Sequence, residues 1–417
     1  MPSQQYKAWS VVTASTFAFT VCFMVWMMFA VIGIPIKQHL GLNETEFGIL
    51  VAMPVLTGSL LRLPIGMWTD KYGGRIVFFL LMVCTIVPIW LISAGTQYWH
   101  YLVTGLFVGV AGASFTVGIA YCARWFPRER QGLAMGIFGA GNTGAALTKL
   151  IAPSIVVAYG WTMVPKVYAV LMLATTILFW MFTYTDADHA SGHSSVTVRE
   201  QLQALKDPTV WRYSQYYSIV FGGYVALSLW MTKYYISEYG FDIRLAALLA
   251  AAFSIPGGVL RAVGGWVSDK YGAHTVTWWV LWIALVCLFF LSYPQTDLTI
   301  QTVTGPRTFH FGLDPTVFTV LMFSMGIAFA IGKASVFKYI SDDYPHNIGV
   351  ISGVVGLAGG MGGFVLPIMF GALVDITGIR SSAFMLMFGI VWVSLMWMYF
   401  TEVRPLSRRG PVPTHFT

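Results

Sequence analysis

The chain has 417 residues, of which 57% are hydrophobic and only 10% charged, with a formal net charge of +7. A soluble domain carries about 25% charged residues, so the composition argues against a water-soluble enzyme and for a chain threaded repeatedly through a bilayer. The positive balance then reads as basic loops beside a membrane, not as a nucleic-acid surface.

About 20 apolar residues cross a bilayer as a helix. Taken in order, the sequence predicts twelve such spans, near 9–34, 47–69, 75–95, 99–122, 131–153, 162–184, 210–234, 245–268, 274–293, 313–338, 348–372 and 379–401. Met1 to Lys7 leads straight into the first without a cleavable signal pattern. The loops alternate in charge. Lys71, Arg75, Arg124, Arg128, Arg130, Arg199, Lys206, Lys270, Arg404, Arg408 and Arg409 fall on one side, whereas Glu44, Glu46, Glu238, Asp242, Asp297 and Asp314 fall on the other. The basic side is expected to be cytoplasmic, with both termini inside. The polar stretch near 186–208 reads as a linker between two six-helix halves, 1–185 and 209–403, followed by a tail, 404–417. The four cysteines, Cys22, Cys84, Cys122 and Cys287, all lie within expected spans and read as small apolar packers.

The halves echo one another. Leu61-Arg62 is followed by Gly66, Asp70, Lys71, Tyr72 and Gly73; Leu260-Arg261 is followed by Gly265, Asp269, Lys270, Tyr271 and Gly272. In both copies the arginine precedes the aspartate by eight positions, about 12 Å of helix, which places each guanidinium near mid-membrane. A cation there costs about 2.5–3.5 kcal/mol on insertion scales. No Asp or Glu lies in the middle of an expected span, so an internal ion pair has no partner, and snorkelling covers only part of the distance. The remaining use is to hold an anion between the halves, a task for which the planar fork of arginine suits a flat oxyanion. A second echo relates Phe126-Pro127 with Gly132, Gly136 and Gly139 to Tyr344-Pro345 with Gly349, Gly353 and Gly356. Parallel halves related about the membrane normal, with substrate at mid-depth, are a transporter organisation.

The segment from Gly66 through Asp70, Lys71 and Gly73 to Arg75, with its partial copy at Gly265 to Gly272, resembles the signature loops of the major facilitator superfamily. The runs Gly136 to Gly144, including Asn142, and Gly353 to Phe364 resemble the paired glycine-rich signatures of its nitrate/nitrite porters, which also carry one arginine in each of spans two and eight. Gly332-Lys333-Ala334-Ser335 is similar to the tenth span of the nitrate/proton symporter subgroup. The resemblance implies an all-α membrane protein with the major facilitator fold. It implies a substrate site of Arg62, Arg261, Phe23, Phe115, Asn142, Tyr217 and Ser335. At Gly356 the chain departs from relatives with serine there, which removes one expected hydroxyl.

Lys333 reads as the proton-coupling group. In low dielectric beside two arginines, a lysine is expected to gain its proton together with an arriving anion. Lys149 is its rival. Asp70 and Asp269, at span ends, read as gating residues. No nucleophile–base pair, metal-ligand spacing or phosphate loop appears, so no enzyme activity, cofactor or metal is expected. The expected function is nitrate import with protons by alternating access, in a monomer of a bacterial inner membrane. Nitrate/nitrite antiport and exchange of a small carboxylate stand as alternatives.

Overall fold

In the computed structural model the described residues are 3–185, 203–344 and 348–404. Most of the expected linker and tail, with Arg199, Arg408 and Arg409, lies outside them, as does Pro345.

The first half contains α1 (Gln4–Trp26), α2 (Phe29–Leu40), α3 (Glu44–Leu60), α4 (Arg62–Tyr72), α5 (Gly74–Ile92), α6 (Tyr98–Val108), α7 (Ser114–Arg124), α8 (Arg128–Gly139), α9 (Gly144–Tyr159) and α10 (Met163–Phe182). The second contains α11 (Pro208–Tyr217), α12 (Tyr224–Tyr239), α13 (Ile243–Val259), α14 (Arg261–Tyr271), α15 (Ala273–Leu291), α16 (Pro315–Asp343), α17 (Ile348–Thr377) and α18 (Ser382–Met398). Several are consecutive pieces of one path, and each expected span finds a helical segment.

Among the described residues, eight helices are long and apolar enough to cross a membrane. Two bent pairs, α3 with α4 and α13 with α14, raise this to ten. The fifth and seventh expected spans correspond to α8 with α9 and α11 with α12. These carry more polar groups because they line the interior. Every residue of α12 from Tyr224 to Tyr235 is buried, so it meets protein rather than lipid and has no need of a uniformly apolar surface. Lipid-facing helices instead expose Trp90, Phe107, Trp279 and Phe289.

Acidic residues of the less basic face act largely as caps. Asn43 and Glu46 form a reciprocal capping box on α3, Asp242 accepts from Arg244 N and Leu245 N, and Asp314 accepts from Thr316 N. The repeat is visible in the backbone as well. Gly73 and Gly272 end α4 and α14 at φ 93° and 82°, each with ψ 144°, a region open to glycine and strained for other residues.

One element departs from expectation. The segment between the ninth and tenth spans forms an antiparallel hairpin, β1 (Thr296–Thr302) with β2 (Gly305–Phe311). Its residues are exposed or half-buried on both faces.

Candidate functional site

The expected site residues sit where helices lose regularity. Arg62 and Arg261 are the first residues after the α3–α4 and α13–α14 breaks, bent by 41° and 49°. Phe115 follows a 3₁₀ turn at Gly109–Ala113, Asn142 lies inside another at Ala140–Thr143, and Tyr217 immediately precedes a π turn at Ser218–Gly223. Such interruptions free backbone groups and mark hinges or functional positions. The sequence supplies them as small residues near each break: Gly58 before Arg62, and Gly257-Gly258 before Arg261.

Each arginine crosses to the other half. Arg62 Nη1 donates to the Gly356 carbonyl oxygen at 3.0 Å and would lie 3.7 Å from a Cβ built on Gly356. Arg261 Cδ would lie 3.5 Å from a Cβ built on Gly139, the counterpart of Gly356 in the second echo. Both approach Phe115: its ring centroid is 5.7 Å from the Arg62 guanidinium carbon and 4.9 Å from that of Arg261. Phe221 at 4.9 Å flanks Arg62, and Phe337 at 5.5 Å flanks Arg261. Aromatic faces hold the two cations in position without consuming their N–H donors.

Several donors remain open. Arg62 Nε, Arg261 Nη1, the Tyr217 hydroxyl, both amide atoms of Asn142 and the Ser352 hydroxyl are buried without a hydrogen-bond partner among the described residues. Buried polar groups are ordinarily paired, so the open groups of Arg62 and Ser352, which line one cleft, are free to take a ligand's hydrogen bonds. Tyr217 stacks on Phe221 at 5.1 Å. A cleft of about 280 Å³ runs from Arg62, Phe115 and Gly356 past Ser352 to Asp70. Ser352 was not singled out from the sequence. The available signal is its position one helical turn before Gly356, on the same face.

Other expected residues lie farther out. Phe23 is buried against Phe19 and Trp26, at 5.7 and 5.3 Å, and, like Arg261, Asn142 and Tyr217, is absent from the cleft lining. Ser335 shares a hydrogen bond with Thr277 at 2.8 Å and donates to the Gly332 carbonyl oxygen at 3.0 Å, so its hydroxyl joins α15 to α16 rather than facing the cleft. Lys333 is fully buried. Its ammonium donates to the Gly257 carbonyl oxygen at 2.5 Å and lies 3.6 Å from the Tyr224 ring centroid. It does not line the cleft.

The two aspartates expected to gate are each bound within their own half. Asp70 pairs with Arg124 at 2.7 Å, and Asp269 with Lys338 at 3.4 Å. On the opposite face the halves are joined. Asp375 of α17 accepts from Glu44 N at 3.1 Å, Thr45 N at 2.8 Å and Thr45 Oγ1 at 2.5 Å, capping α3 from across the interface. Lys233 pairs with Glu44 beside it. Gly48 packs against the Pro367 carbonyl and Gly371 against that of Glu44, leaving no room for a Cβ. The cleft therefore opens toward the Asp70 face and is shut on the Glu44 face.

The family described as Major Facilitator Superfamily matches residues 15–367. A Thermus thermophilus protein named "Probable nitrate/nitrite antiporter NarK1" is 38% identical, covering 95% of this chain and 92% of that protein. The "Nitrite extrusion protein" of Bacillus subtilis (strain 168) is 28% identical, over 91% of this chain and 92% of its own. The "Probable nitrate transporter NarT" of Staphylococcus carnosus (strain TM300) is 30% identical, over 95% and 97%. A solved bacterial homologue of the human lysosomal transporter Spinster, inward-facing and unoccupied, superimposes with a TM-score of 0.72. It covers 99% of this chain and 100% of that one at 15% identity, a likeness of fold.

Proposed function

The chain belongs to the major facilitator superfamily and, within it, to the nitrate/nitrite porter family, and from that premise we propose that it imports nitrate together with protons. Members of this superfamily are multi-pass membrane transporters, not enzymes. In this reading the Asp70 face is cytoplasmic, both termini are inside a bacterial inner membrane, and the chain works as a monomer.

The observation that carries the reading is the pair of guanidiniums, one from each half, brought to the one ring of Phe115 with buried donors left open. A flat monovalent oxyanion between Arg62 and Arg261 would take up those donors and neutralise part of the local charge. Tyr217, Asn142 and Ser352 supply further polar groups. Apolar rings favour a weakly hydrated anion over a strongly hydrated one. Closure on the Glu44 face and opening on the Asp70 face supply one of the two states that alternating access requires.

Lys333 carries the proton in this proposal. Its ammonium has a carbonyl and a ring face for company but no carboxylate. Repulsion from Arg261 opposes its charge, and an anion beside Arg261 offsets that repulsion. Proton and anion therefore bind together and leave together. Nitrate/nitrite exchange is the second reading, favoured by the name of the Thermus relative.

One experiment separates the two. Nitrate uptake into proteoliposomes, measured with and without an imposed inward proton gradient, should accelerate with the gradient in the parent. In Lys333→Gln that response should vanish while nitrate-for-nitrate exchange persists. Gradient-independent uptake that needs internal nitrite would establish exchange instead.

A further inference from the structure

Lys149 is a second lysine buried inside the bundle, 1% exposed, on α9 of the N-terminal half. Its ammonium donates to Ser254 Oγ on α13 of the C-terminal half. Ser254 also shares a hydrogen bond with Ser228 Oγ at 3.2 Å, and its carbonyl accepts from the Tyr224 hydroxyl at 3.0 Å. The ring of that same tyrosine lies under Lys333. One stretch of α13, from Ser254 to Gly257, thus solvates two ammonium groups, one from each half, and ends four residues before Arg261.

No ion pair is found for Lys149 among the described residues. The helices packed against α9, namely α1, α2, α10 and α13, contain no carboxylate. Thr148 beside it pairs with the Tyr168 hydroxyl at 2.7 Å, a neutral contact. A buried cation without a counter-ion is unfavourable, more so with Arg261 seven residues, about 10 Å of helix, beyond its seat at Ser254. The contact exists only while α9 and α13 are together, that is, while the Glu44 face is shut. Nothing in the site described above requires it.

We propose that Lys149 is an anion-sensing latch. Its ammonium seals against Ser254 while an anion between Arg62 and Arg261 offsets the charge beneath it. Once the anion leaves toward the Asp70 face, the uncompensated cations push the Glu44 face open again. The latch thereby drives the return of the empty carrier. It rests on the anion-transport reading but not on proton coupling.

The test uses a cysteine-free background carrying Ala250→Cys, one turn from Ser254 on the same face of α13, labelled from the Glu44 side with an impermeant thiol reagent. Nitrate should slow labelling of this parent. Lys149→Met should slow nitrate-free labelling about tenfold, the Coulomb factor for unit charges about 10 Å apart at an effective dielectric of about 20. It should also abolish the nitrate dependence, and lower net uptake while sparing nitrate-for-nitrate exchange. Ser254→Ala, which removes the seat of the ammonium, should act oppositely and speed labelling. Lys149→Met labelling that still responds to nitrate as the parent does would overturn the latch alone. A parent whose labelling ignores nitrate would overturn the anion reading and the latch with it.

Discussion

Arg62 and Arg261 begin equivalent helices, lie against equivalent glycines and share the ring of Phe115, yet their bonding differs. Arg62 is 5% exposed and commits Nη1 to the Gly356 carbonyl. Arg261 is half-buried, with Nη1 open. The asymmetry extends to the neighbouring helices. Phe126 and Tyr344 lie 344 − 126 = 218 residues apart, and the same step carries Phe115 to Lys333. Where the first half places an aromatic ring against both guanidiniums, the second places a cation on the Gly257 carbonyl, four residues before Arg261. Sequence symmetry builds the cage, and its breaking supplies the group that responds to what the cage holds.

The sharpest way to break this comparison is to shorten each fork in turn. Lysine keeps the charge and loses the bidentate geometry. Arg261→Lys should raise the half-saturating nitrate concentration roughly 10–100-fold with little change in melting temperature, since no protein bond is lost. Arg62→Lys should weaken transport similarly and also destabilise the protein by about 1 kcal/mol, because Gly356 loses its donor. Paired uptake and thermal-melt measurements on both variants decide the matter. Equal destabilisation by the two would show that the arginines are equivalent after all.

A smaller effect sharpens the reading of the open donors. The Tyr217 hydroxyl has no hydrogen-bond partner among the described residues, whereas its ring is stacked on Phe221. Tyr217→Phe should leave stability within about 0.5 kcal/mol of the parent, while half-saturation for nitrate rises roughly 3–10-fold. A loss of stability without a change in transport would make the tyrosine a packing residue.

What the sequence made legible follows from what repeats. The arginines, Asp70 with Asp269, and the paired glycines stood out because a second copy confirmed each, and the cost of a mid-membrane cation demanded a use. Single residues without a copy were harder. Ser352 is one serine in a glycine-rich helix, and only the coordinates reveal its unpaired hydroxyl. Ser335 and Phe23 matched a motif, but spacing along a chain does not reveal which face of a helix meets the cleft. The hairpin over 296–311 alternates threonine with Leu298 and Ile300, yet neither face is buried, so the usual contrast between core and solvent sides never develops. The break before each arginine was likewise hidden, since Leu61 and Leu260 look like ordinary helix.

The smallest predicted effect concerns the corners where the second echo ends. In the first half Phe126 packs edge-to-face on Trp9, with centroids 5.3 Å apart. In the second the equivalent Tyr344 donates its hydroxyl to Asp207, which also accepts from Thr209 N at 2.8 Å and caps α11. The hydrogen bond from Tyr344, helped by Thr209 and the charge of Arg212, holds the Asp207 carboxyl below the usual carboxylate range. A carboxyl depressed in the folded state adds stability above its unfolded pKa and loses that contribution as pH falls through its folded value. One corner is therefore acid-sensitive, and its apolar counterpart is not. Asp207→Ala should lower stability at neutral pH by about 1 kcal/mol, as loss of an N-cap does, and the difference from the parent should shrink below about pH 4. Trp9→Leu should shift stability by an amount independent of pH over the same range. Thermal melts of both variants across that range check the pair. A pH-independent Asp207→Ala difference would mean that its charge contributes nothing and that the two corners, built from different chemistry, serve their halves alike.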